Sequence, residues 1–509
     1  MNYRLTAYVL GEILLIVGAL MCVPLFMAVG LHEDKTILAF GIAIAIAVAL
    51  GAVGIILRPP KDKRNLRPQS GFVMCGLAWI LLGVIGAIPF RLSGAIPNYI
   101  DALFETISGF TTTGSSILTG EMVGPDGYFA LPKSILFWRA LTQWIGGMGV
   151  LVFVIAVLPK NDKASTALAK AEIPGYQFGK LVGKLRFTSQ ILYAMYIVLT
   201  LLLVAILCAC GMPVFDSFCH SFSTASTGGF SVLGASIGGY NGMAGFSAAN
   251  ALSFEIVITI FMLIFSVNFN LYYMILIGRF KSLKNEELFC LIGVYITACA
   301  VIIGVLTGKH IYSFGEAVRY ATFNVASMMS TTGYGTADFV LWPTILQVML
   351  LLIMCIGGSA GSTAGGMKMS RAIILVKSSV NHVRKLNSPR SVQTVKMDGK
   401  ALPDATVEEI QNFFIIYIII MVISTFILCI LSPMPGDSSS SSVSIATNLS
   451  AVISCLNNIG PGIGVVGPAG NFAAYGPLEK IVLMFDMLIG RLEIIPILML
   501  FYYKSWKRV

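Results

Sequence analysis

Four short segments of this chain resemble one another, and each has the pattern of a short helix that leads into a turn rich in threonine, serine or asparagine and glycine. The copies lie at 104–114, 218–228, 323–333 and 450–460. They recur at roughly quarter-chain intervals, which predicts four equivalent pieces arranged around one axis. A ring of turns that presents backbone carbonyl groups to a common axis is suited to the passage of a cation.

The amino-acid composition indicates that the four pieces lie in a membrane. Of the 509 residues, 56% are hydrophobic and only 11% are charged, whereas soluble domains carry about 25% charged residues. Stretches such as 37–57 are long enough to cross a bilayer core of about 30 Å. The first apolar stretch, 5–29, is too long for the core of a signal peptide and lacks a convincing cleavage site. We therefore expect an all-α polytopic membrane protein whose first stretch is a retained helix.

The basic residues are placed as in a membrane protein rather than a nucleic-acid-binding protein. The formal net charge is +10, but the Lys and Arg residues lie in short loops between apolar stretches, as the positive-inside rule expects. The basic clusters are at 58–67, 160–186, 279–284, 368–400 and 504–508, and loops 234–250 and 432–442 contain none. This asymmetry predicts that both termini are cytoplasmic. Loops 160–186 and 368–400 are the expected surfaces for acidic lipid and a cytosolic partner.

The expected organisation is two leading helices followed by four repeats, each with an outer helix, a pore helix, a filter turn and an inner helix. The predicted domains are 1–68 for the leading helices and 69–160, 161–284, 285–400 and 401–509 for the four pore repeats. The outer helices are expected at 72–90, 185–210, 287–306 and 407–431, and the pore helices at 101–110, 216–225, 314–329 and 443–456. The inner helices are expected at 132–158, 248–279, 342–383 and 477–503. This gives ten spanning and four re-entrant helices.

The turns after the pore helices are the candidate ion-binding site. Non-helical backbone at membrane depth is tolerated only where it is buried in protein or lines a cavity, so we expect these turns to face one another. Rings of backbone carbonyls can replace the hydration shell of potassium, and glycine adopts the required backbone angles at low cost. The candidate potassium-binding residues are Thr112, Thr113, Gly114, Ser226, Thr227, Gly228, Thr331, Thr332, Gly333, Asn458, Ile459 and Gly460. The four glycines are predicted to be equivalent.

The chain resembles the Trk/Ktr/HKT superfamily of potassium transporters, and specifically its bacterial TrkH-type subunit. The similar stretches are Ser-Thr-Thr-Gly-Tyr-Gly at 330–335 and the segments 137–149, 357–366 and 488–494. The resemblance implies a potassium-selective pore in one chain, located in the inner membrane, with potassium as substrate and no covalent cofactor. It also implies a homodimer and a cytosolic nucleotide-binding regulatory subunit of the TrkA type. Some plant members carry serine where Gly114 stands and pass sodium, so Gly114 favours potassium.

A glycine-rich run inside the third inner helix is a candidate gate, and we call it the glycine loop. It comprises Gly357, Gly358, Ser359, Ala360, Gly361, Ser362, Thr363, Ala364, Gly365 and Gly366. Glycine costs about 1 kcal/mol per helical position relative to alanine, so a loop that interrupts the helix is expected. The alternative is a helix–helix interface of small residues. The resemblance favours a loop that obstructs the pore when closed.

Several charged residues within the apolar stretches allow two interpretations each. Arg491 is either a structural partner of Glu493 or Asp486, or an electrostatic barrier that works with the glycine loop. Glu105 either attracts cations or, as we favour, anchors its turn. Arg139 is expected to pair with a group on a pore helix, and Asp101 and Asp216 are interpreted as helix caps.

No sequence pattern indicates an enzyme. The chain lacks a Gly-x-Gly-x-x-Gly after a strand, a Walker lysine, and catalytic or zinc-ligand spacings. Transport must therefore use the membrane potential or coupling to another ion. A potassium-selective permeation subunit is the leading hypothesis, a proton- or sodium-coupled symporter is the first alternative, and a non-transporting scaffold is the second.

Overall fold

A computed structural model describes residues 2–60, 68–149, 185–388, 393–432 and 443–506. Within these ranges the chain is almost entirely helical, and the one sheet described is the short antiparallel pair Lys396–Met397 and Lys400–Ala401. Seven described helices are long and apolar enough to cross a membrane: Tyr3–Gly30, Asp34–Ile56, Ser70–Leu92, Ser189–Ala209, Ala248–Ser266, Glu286–Gly308 and Asp404–Leu431. The predicted loops 160–186 and 432–442 lie almost entirely outside the described residues.

The two leading helices, Tyr3–Gly30 and Asp34–Ile56, pack closely because glycines line their contact. A methyl group added at Gly54 would stand 2.5 Å from the carbonyl oxygen of Ala7. Small residues of this kind allow helix backbones to approach one another inside a membrane. The connection is tied to the rest of the protein by Glu33, whose carboxylate accepts from the backbone N–H of Lys133 and from the Ser134 hydroxyl.

The outer helices are Pro68–Gly86 continued by Ile88–Leu92, Leu185–Ala209, Glu286–Gly308 and Asp404–Leu431. Their burial differs with their position. In the most apolar stretch of the first, 67% of residues are buried, against 17% in the fourth. The first outer helix is covered by the leading pair and by the last helix, Ile495–Phe501. The exposed faces of the others carry large apolar side chains, as faces in contact with lipid do.

The four predicted pore helices are present, with ends within two residues of the expected ones. They are Tyr99–Phe110, Val214–Ala225, Phe314–Met329 and Ile445–Leu456. The interpretation of Asp101 and Asp216 as caps is wrong, because Asn98 and Pro213 occupy the N-cap positions. Asp101 instead pairs with Lys480 at 2.6 Å. Asp216 accepts from two tyrosine hydroxyls.

The prediction of continuous first, second and fourth inner helices is wrong, because each of these helices stops or breaks before its expected end. The segments are Lys133–Gly147; Ala248–Ser266 and Phe269–Leu276; Thr344–Ile356 and Met369–Asn387; and Pro477–Arg491 and Ile495–Phe501. The first stops at Gly147, eleven residues before the expected end, and 150–184 lie outside the described residues. The fourth breaks where Glu493 and Ile494 adopt φ of 56° and 70°. Ten spanning helices were predicted, and seven helices of the described residues are individually long and apolar enough to cross a membrane.

The third break confirms the predicted interruption at the glycine loop. Residues 357–368 between Thr344–Ile356 and Met369–Asn387 are non-helical. The alternative of a continuous helix with a small-residue face is wrong. Gly357, Gly361 and Gly366 have φ of 70°, 73° and 78°, which glycine adopts without steric cost.

Candidate functional site

The four turns at the ends of the pore helices share one backbone conformation. In each, a polar residue with φ near 55° is followed two positions later by a glycine with positive φ. The pairs are Thr112 (54°) and Gly114 (81°), Thr227 (54°) and Gly229 (78°), Thr331 (57°) and Gly333 (81°), and Asn458 (54°) and Gly460 (107°). Such angles are uncommon for residues other than glycine, so their fourfold recurrence shows that the copies adopt the same strained turn.

The predicted register of the second turn is wrong by one residue. Gly229, rather than Gly228, has the positive φ that Gly114, Gly333 and Gly460 share. The hydrogen bonds agree, because in each turn the N–H at the middle position donates to a serine carbonyl five residues earlier. These bonds are Thr113 to Ser108 (2.9 Å), Gly228 to Ser223 (2.8 Å), Thr332 to Ser327 (2.9 Å) and Ile459 to Ser454 (3.0 Å). Gly228 therefore corresponds to Thr113, and Ser226 caps its pore helix.

The four turns meet in a closed ring. A methyl group added at each positive-φ glycine would collide with, or closely approach, the carbonyl oxygen of the middle residue in the next turn. The distance from the added methyl carbon to the carbonyl oxygen is 2.2 Å for Gly114 and Gly228, and 1.9 Å for Gly229 and Thr332. It is 1.8 Å for Gly333 and Ile459, and 3.0 Å for Gly460 and Thr113. Each turn therefore contacts the next one, and the fourth contacts the first, although every pair is more than one hundred residues apart in the sequence. The site residues predicted from sequence are thus adjacent in space.

A buried ion pair joins the first pore helix to the first inner helix and supports the first turn. Glu105 of the first pore helix pairs with Arg139 of the first inner helix at 2.6 Å, and both side chains are almost fully buried. The Glu105 carboxylate also accepts from the Ser116 hydroxyl and the Ile117 N–H, each at 2.9 Å. Arg139 donates to the carbonyl oxygen of Ser231, just after the second turn, at 2.9 Å. Glu105 is therefore an anchor, as favoured from the sequence, and Arg139 pairs with a pore-helix group as expected.

Gln143 supports the second turn, and sequence reasoning did not identify it. Its amide nitrogen donates to the Gly228 carbonyl at 2.6 Å, and its amide oxygen accepts from Phe230 N–H at 3.1 Å. The side chain is fully buried. Its position one turn after Arg139 on the same helix was the only sequence signal for this role.

The third turn is supported by a chain of polar side chains that runs to the loops that follow the first and second turns. Tyr334 lies within hydrogen-bonding reach of His220 Nδ1 at 3.4 Å, and His220 Nε2 lies 3.1 Å from the Tyr240 hydroxyl. Tyr240 and Tyr128 both donate to one oxygen of Asp216, at 2.8 and 2.7 Å. Burial and the neighbouring Asp216 carboxylate raise the pKa of the Tyr128 hydroxyl, so this loop residue remains a donor.

The fourth turn uses an asparagine where the others use threonine. The amide nitrogen of Asn458 donates to the Thr113 hydroxyl and to the carbonyl oxygen of Met487, each at 2.9 Å. It therefore links the fourth turn to the first turn and to the fourth inner helix. The divergent sequence of this copy replaces a hydroxyl with a longer bridging group and keeps the backbone conformation.

The glycine loop lies directly against the third and fourth turns. The N–H of Gly365 donates to the Thr331 hydroxyl at 2.6 Å, and the N–H of Gly366 donates to the Asn457 carbonyl at 3.1 Å. The loop contacts the turns at the end nearest the pore-helix C-termini, because Thr331 and Asn457 come directly after the ends of those helices.

Glu287 of the third outer helix holds the glycine loop and the start of the helix that follows it. One of its carboxylate oxygens accepts from the N–H groups of Ala360 (2.8 Å) and Ser370 (3.1 Å). Lys368, which is also buried, donates from its ammonium group to the Ala364 carbonyl. Neither residue was predicted, and an acidic residue in the first turn of a spanning helix gave no sign of a long-range contact.

Arg491 contacts the glycine loop, and the two carboxylates of its structural alternative, Glu493 and Asp486, accept hydrogen bonds from Arg371 and Ser424. Its guanidinium donates to the carbonyl oxygen of Thr363 at 3.1 Å and to those of Gly146 and Gly147. Glu493 pairs with Arg371 at 2.5 Å. Arg491 therefore bridges the end of the first inner helix and the glycine loop.

Comparison with known proteins gives a consistent result over the whole chain. A family model described as "TrkH: Cation transport protein" matches residues 37–293 and 288–508. "Trk system potassium uptake protein TrkH" of Salmonella typhimurium is 34% identical over 513 residues, which cover 100% of both chains. "Trk system potassium uptake protein TrkG" of Escherichia coli is 32% identical and covers 99% of both. The crystal structure of the potassium transporter TrkH from Vibrio parahaemolyticus has a TM-score of 0.84, 31% identity and full coverage of both chains.

Proposed function

Because this chain belongs to the TrkH family of cation transport proteins, we propose that it is a potassium-selective permeation subunit of the bacterial inner membrane. As a member of this family it is a transport protein and not an enzyme. Curated relatives that match along their full length are named potassium uptake proteins, which supports potassium as the substrate. Potassium passes through a single-chain pseudo-tetrameric pore down its electrochemical gradient.

The observation that carries this proposal is the closed ring of four turns with matching backbone angles. A ring of backbone carbonyls replaces the hydration shell of a monovalent cation without introducing fixed charge. The four pore helices end at the turns, so the partial negative charge of their C-termini lies beside the ion. The potassium-binding residues are Thr112, Thr113, Gly114, Thr227, Gly228, Gly229, Thr331, Thr332, Gly333, Asn458, Ile459 and Gly460.

The glycine loop and Arg491 form the gate in this proposal. Contacts of the loop with Thr331 and Asn457 support this role, because they place it against the turns. Deleting 358–364 should raise ion flux in proteoliposomes. Replacing Arg491 with alanine should raise potassium flux or change the coupling of that flux to another ion. Flux equal to that of the unmodified protein at matched incorporation would remove the loop from gating.

We further propose that a cytosolic nucleotide-binding subunit of the TrkA type controls this gate in a homodimeric assembly. The helix Met369–Asn387, which begins directly after the glycine loop, carries exposed Val376, Val380 and Val383 and has Arg384 and Lys385 in its last turn. An apolar stripe beside basic groups offers a partner both contact area and charge complementarity. Displacement of this helix would act on the loop through Ser370, which Glu287 holds.

Proton-coupled potassium symport is the second candidate, and Asp486 favours it. This carboxyl group is 1% exposed in the fourth inner helix. One of its oxygens accepts from Ser424 at 2.7 Å, and the other is buried with no hydrogen-bond partner among the described residues. An unpaired carboxylate inside a membrane is costly, and protonation removes that cost. A reversal potential that follows the proton gradient in addition to the potassium gradient would establish coupling.

Uptake by a transport-deficient cell tests the function. Cells that express the chain should accumulate potassium and rubidium and discriminate against sodium. Changing Gly114 to serine should reduce that discrimination, because the added side chain would lie against the Gly228 carbonyl. Unchanged discrimination would separate Gly114 from selectivity, and absence of uptake at normal expression would contradict the proposal.

A further inference from the structure

Three backbone carbonyl oxygens from two distant segments converge on Arg491. Those of Gly146 and Gly147 come from the end of the first inner helix, and that of Thr363 comes from the glycine loop. Gly146, Gly147 and Thr363 are all buried. One residue beyond Thr363, the carbonyl of Ala364 accepts from the Lys368 ammonium. Positively charged side chains therefore occupy neighbouring groups of carbonyl oxygens.

The carbonyls are available because the first inner helix stops at Gly147. The last four C=O groups of a helix have no intrahelical donor, and the end of the helix carries partial negative charge. The Gly146 carbonyl also accepts from Gly149 N–H at 3.1 Å and uses a second lone pair for Arg491. A carbonyl left without a partner at membrane depth costs several kcal/mol. Gly146 keeps its backbone donor without Arg491, so the cost falls on the carbonyls of Gly147 and Thr363, which favour a cation or donor beside them.

The hydrogen bonds described for the neighbouring carboxylates come from other side chains. Glu493 pairs with Arg371 at 2.5 Å, and Asp486 accepts from Ser424 at 2.7 Å. The convergent group of oxygens is therefore made of neutral carbonyls. Neutral carbonyl rings suit a dehydrated monovalent cation, whereas divalent cations are typically held by carboxylates and water.

We propose that the carbonyls of Gly146, Gly147 and Thr363 form a second site for a monovalent alkali cation, which the Arg491 guanidinium occupies as a tethered substitute. The inference rests on the proposed function, because an ion reaches this site by passing the ring of turns. Arg491 and the permeating ion compete for the same oxygens. When the ion displaces the guanidinium, the carbonyls exchange one positive partner for another and are never left unpaired.

Rubidium bound to crystals of the full chain tests this site, since its anomalous scattering marks its position. The variant Arg491→Met removes the guanidinium, Arg491→Lys keeps a tethered cation, and Arg371→Met removes a nearby guanidinium that pairs elsewhere. A rubidium peak beside Gly146, Gly147 and Thr363 is expected in Arg491→Met and not in the unmodified protein or in the other two variants. Equilibrium dialysis of the detergent-solubilised protein should show one further rubidium ion per chain in Arg491→Met alone.

The outcomes separate this inference from the function on which it rests. Rubidium peaks in the ring of turns without a peak beside Gly147 in Arg491→Met would overturn the second site and leave the proposed function standing. An extra bound ion in Arg371→Met as well would also overturn it, because general loss of positive charge would then be the cause. Absence of rubidium from the ring in every variant would overturn the proposed function and this inference together.

Discussion

Removing the Glu105 carboxylate should strongly destabilise the protein, because it leaves the charge of Arg139 buried without its partner. Glu105 is 1% exposed and Arg139 is 4% exposed, and their contact is 2.6 Å. Breaking a buried ion pair by removing one member typically costs about 3–5 kcal/mol. The Ile117 N–H, which donates to Glu105 at 2.9 Å, would lose its partner in the same variant. We expect Glu105→Ala to lower the free energy of unfolding by about 3–5 kcal/mol.

The matched control is Glu286→Ala, which removes a carboxylate that pairs with Lys377. In that pair 39% of the glutamate and 36% of the lysine side chain are exposed, so the expected loss is about 0–1 kcal/mol. The assay is unfolding in mixed micelles of dodecyl sulfate and a mild detergent, with the free energy obtained from the transition. The loss of unfolding free energy in Glu105→Gln should lie between those of Glu286→Ala and Glu105→Ala, because the glutamine amide oxygen can still accept from the Ile117 N–H.

The double variant Glu105→Ala/Arg139→Met should recover part of the loss, since it removes the unpaired charge as well as the carboxylate. A loss in Glu105→Ala no larger than in Glu286→Ala would refute the reasoning. The single variant Arg139→Met completes the comparison. If the stability losses of Glu105→Ala and Arg139→Met add up to the loss of the double variant, the pair does not couple the first turn to the first inner helix.

Other changes test the turns, the packing around them and the gate. Gly114→Ser should reduce potassium-over-sodium discrimination in rubidium and sodium flux assays, whereas Gly120→Ser should not, since no atom lies within 4 Å of a Cβ there. Gly146→Ala should lower the melting temperature sharply, because the methyl group would stand 1.7 Å from the Phe110 carbonyl, while Gly41→Ala, with open space, should leave it almost unchanged. Glu287→Gln should raise ion flux, because a neutral amide oxygen accepts more weakly from Ala360 and Ser370, and flux at the unmodified level would remove Glu287 from gating.

The pore helices were predictable because their signal is local. Each is a short, moderately polar segment that ends in a glycine-containing turn, so composition and length identify it without knowledge of its neighbours. The glycine loop was predictable for the same reason, since five glycines in ten residues disfavour a helix. The register of the second turn was not, because Gly228 and Gly229 are adjacent and either could supply the positive φ.

The break in the second inner helix was not predictable, because the groups that satisfy its backbone lie elsewhere in the chain. This helix ends at Ser266, and Asn268 caps the segment that follows, in a stretch without proline or glycine. The backbone groups freed there are satisfied by the glycine loop: Ser359 N–H donates to the Ser266 carbonyl, and Phe269 N–H donates to the Gly361 carbonyl, each at 3.0 Å. A helix can end inside a membrane where another segment supplies such partners. The sequence near Ser266 carries no sign of a partner almost one hundred residues away.

The central claim is that the four turns of one chain form a pore that strips water from potassium and conducts it. Its most direct test is the reversal potential of current through the purified chain in planar bilayers, with potassium on one side and sodium on the other. We expect a reversal potential close to the potassium equilibrium potential and a shift toward zero in Gly114→Ser. A reversal potential near zero in the unmodified protein, or no current that depends on potassium, would contradict it.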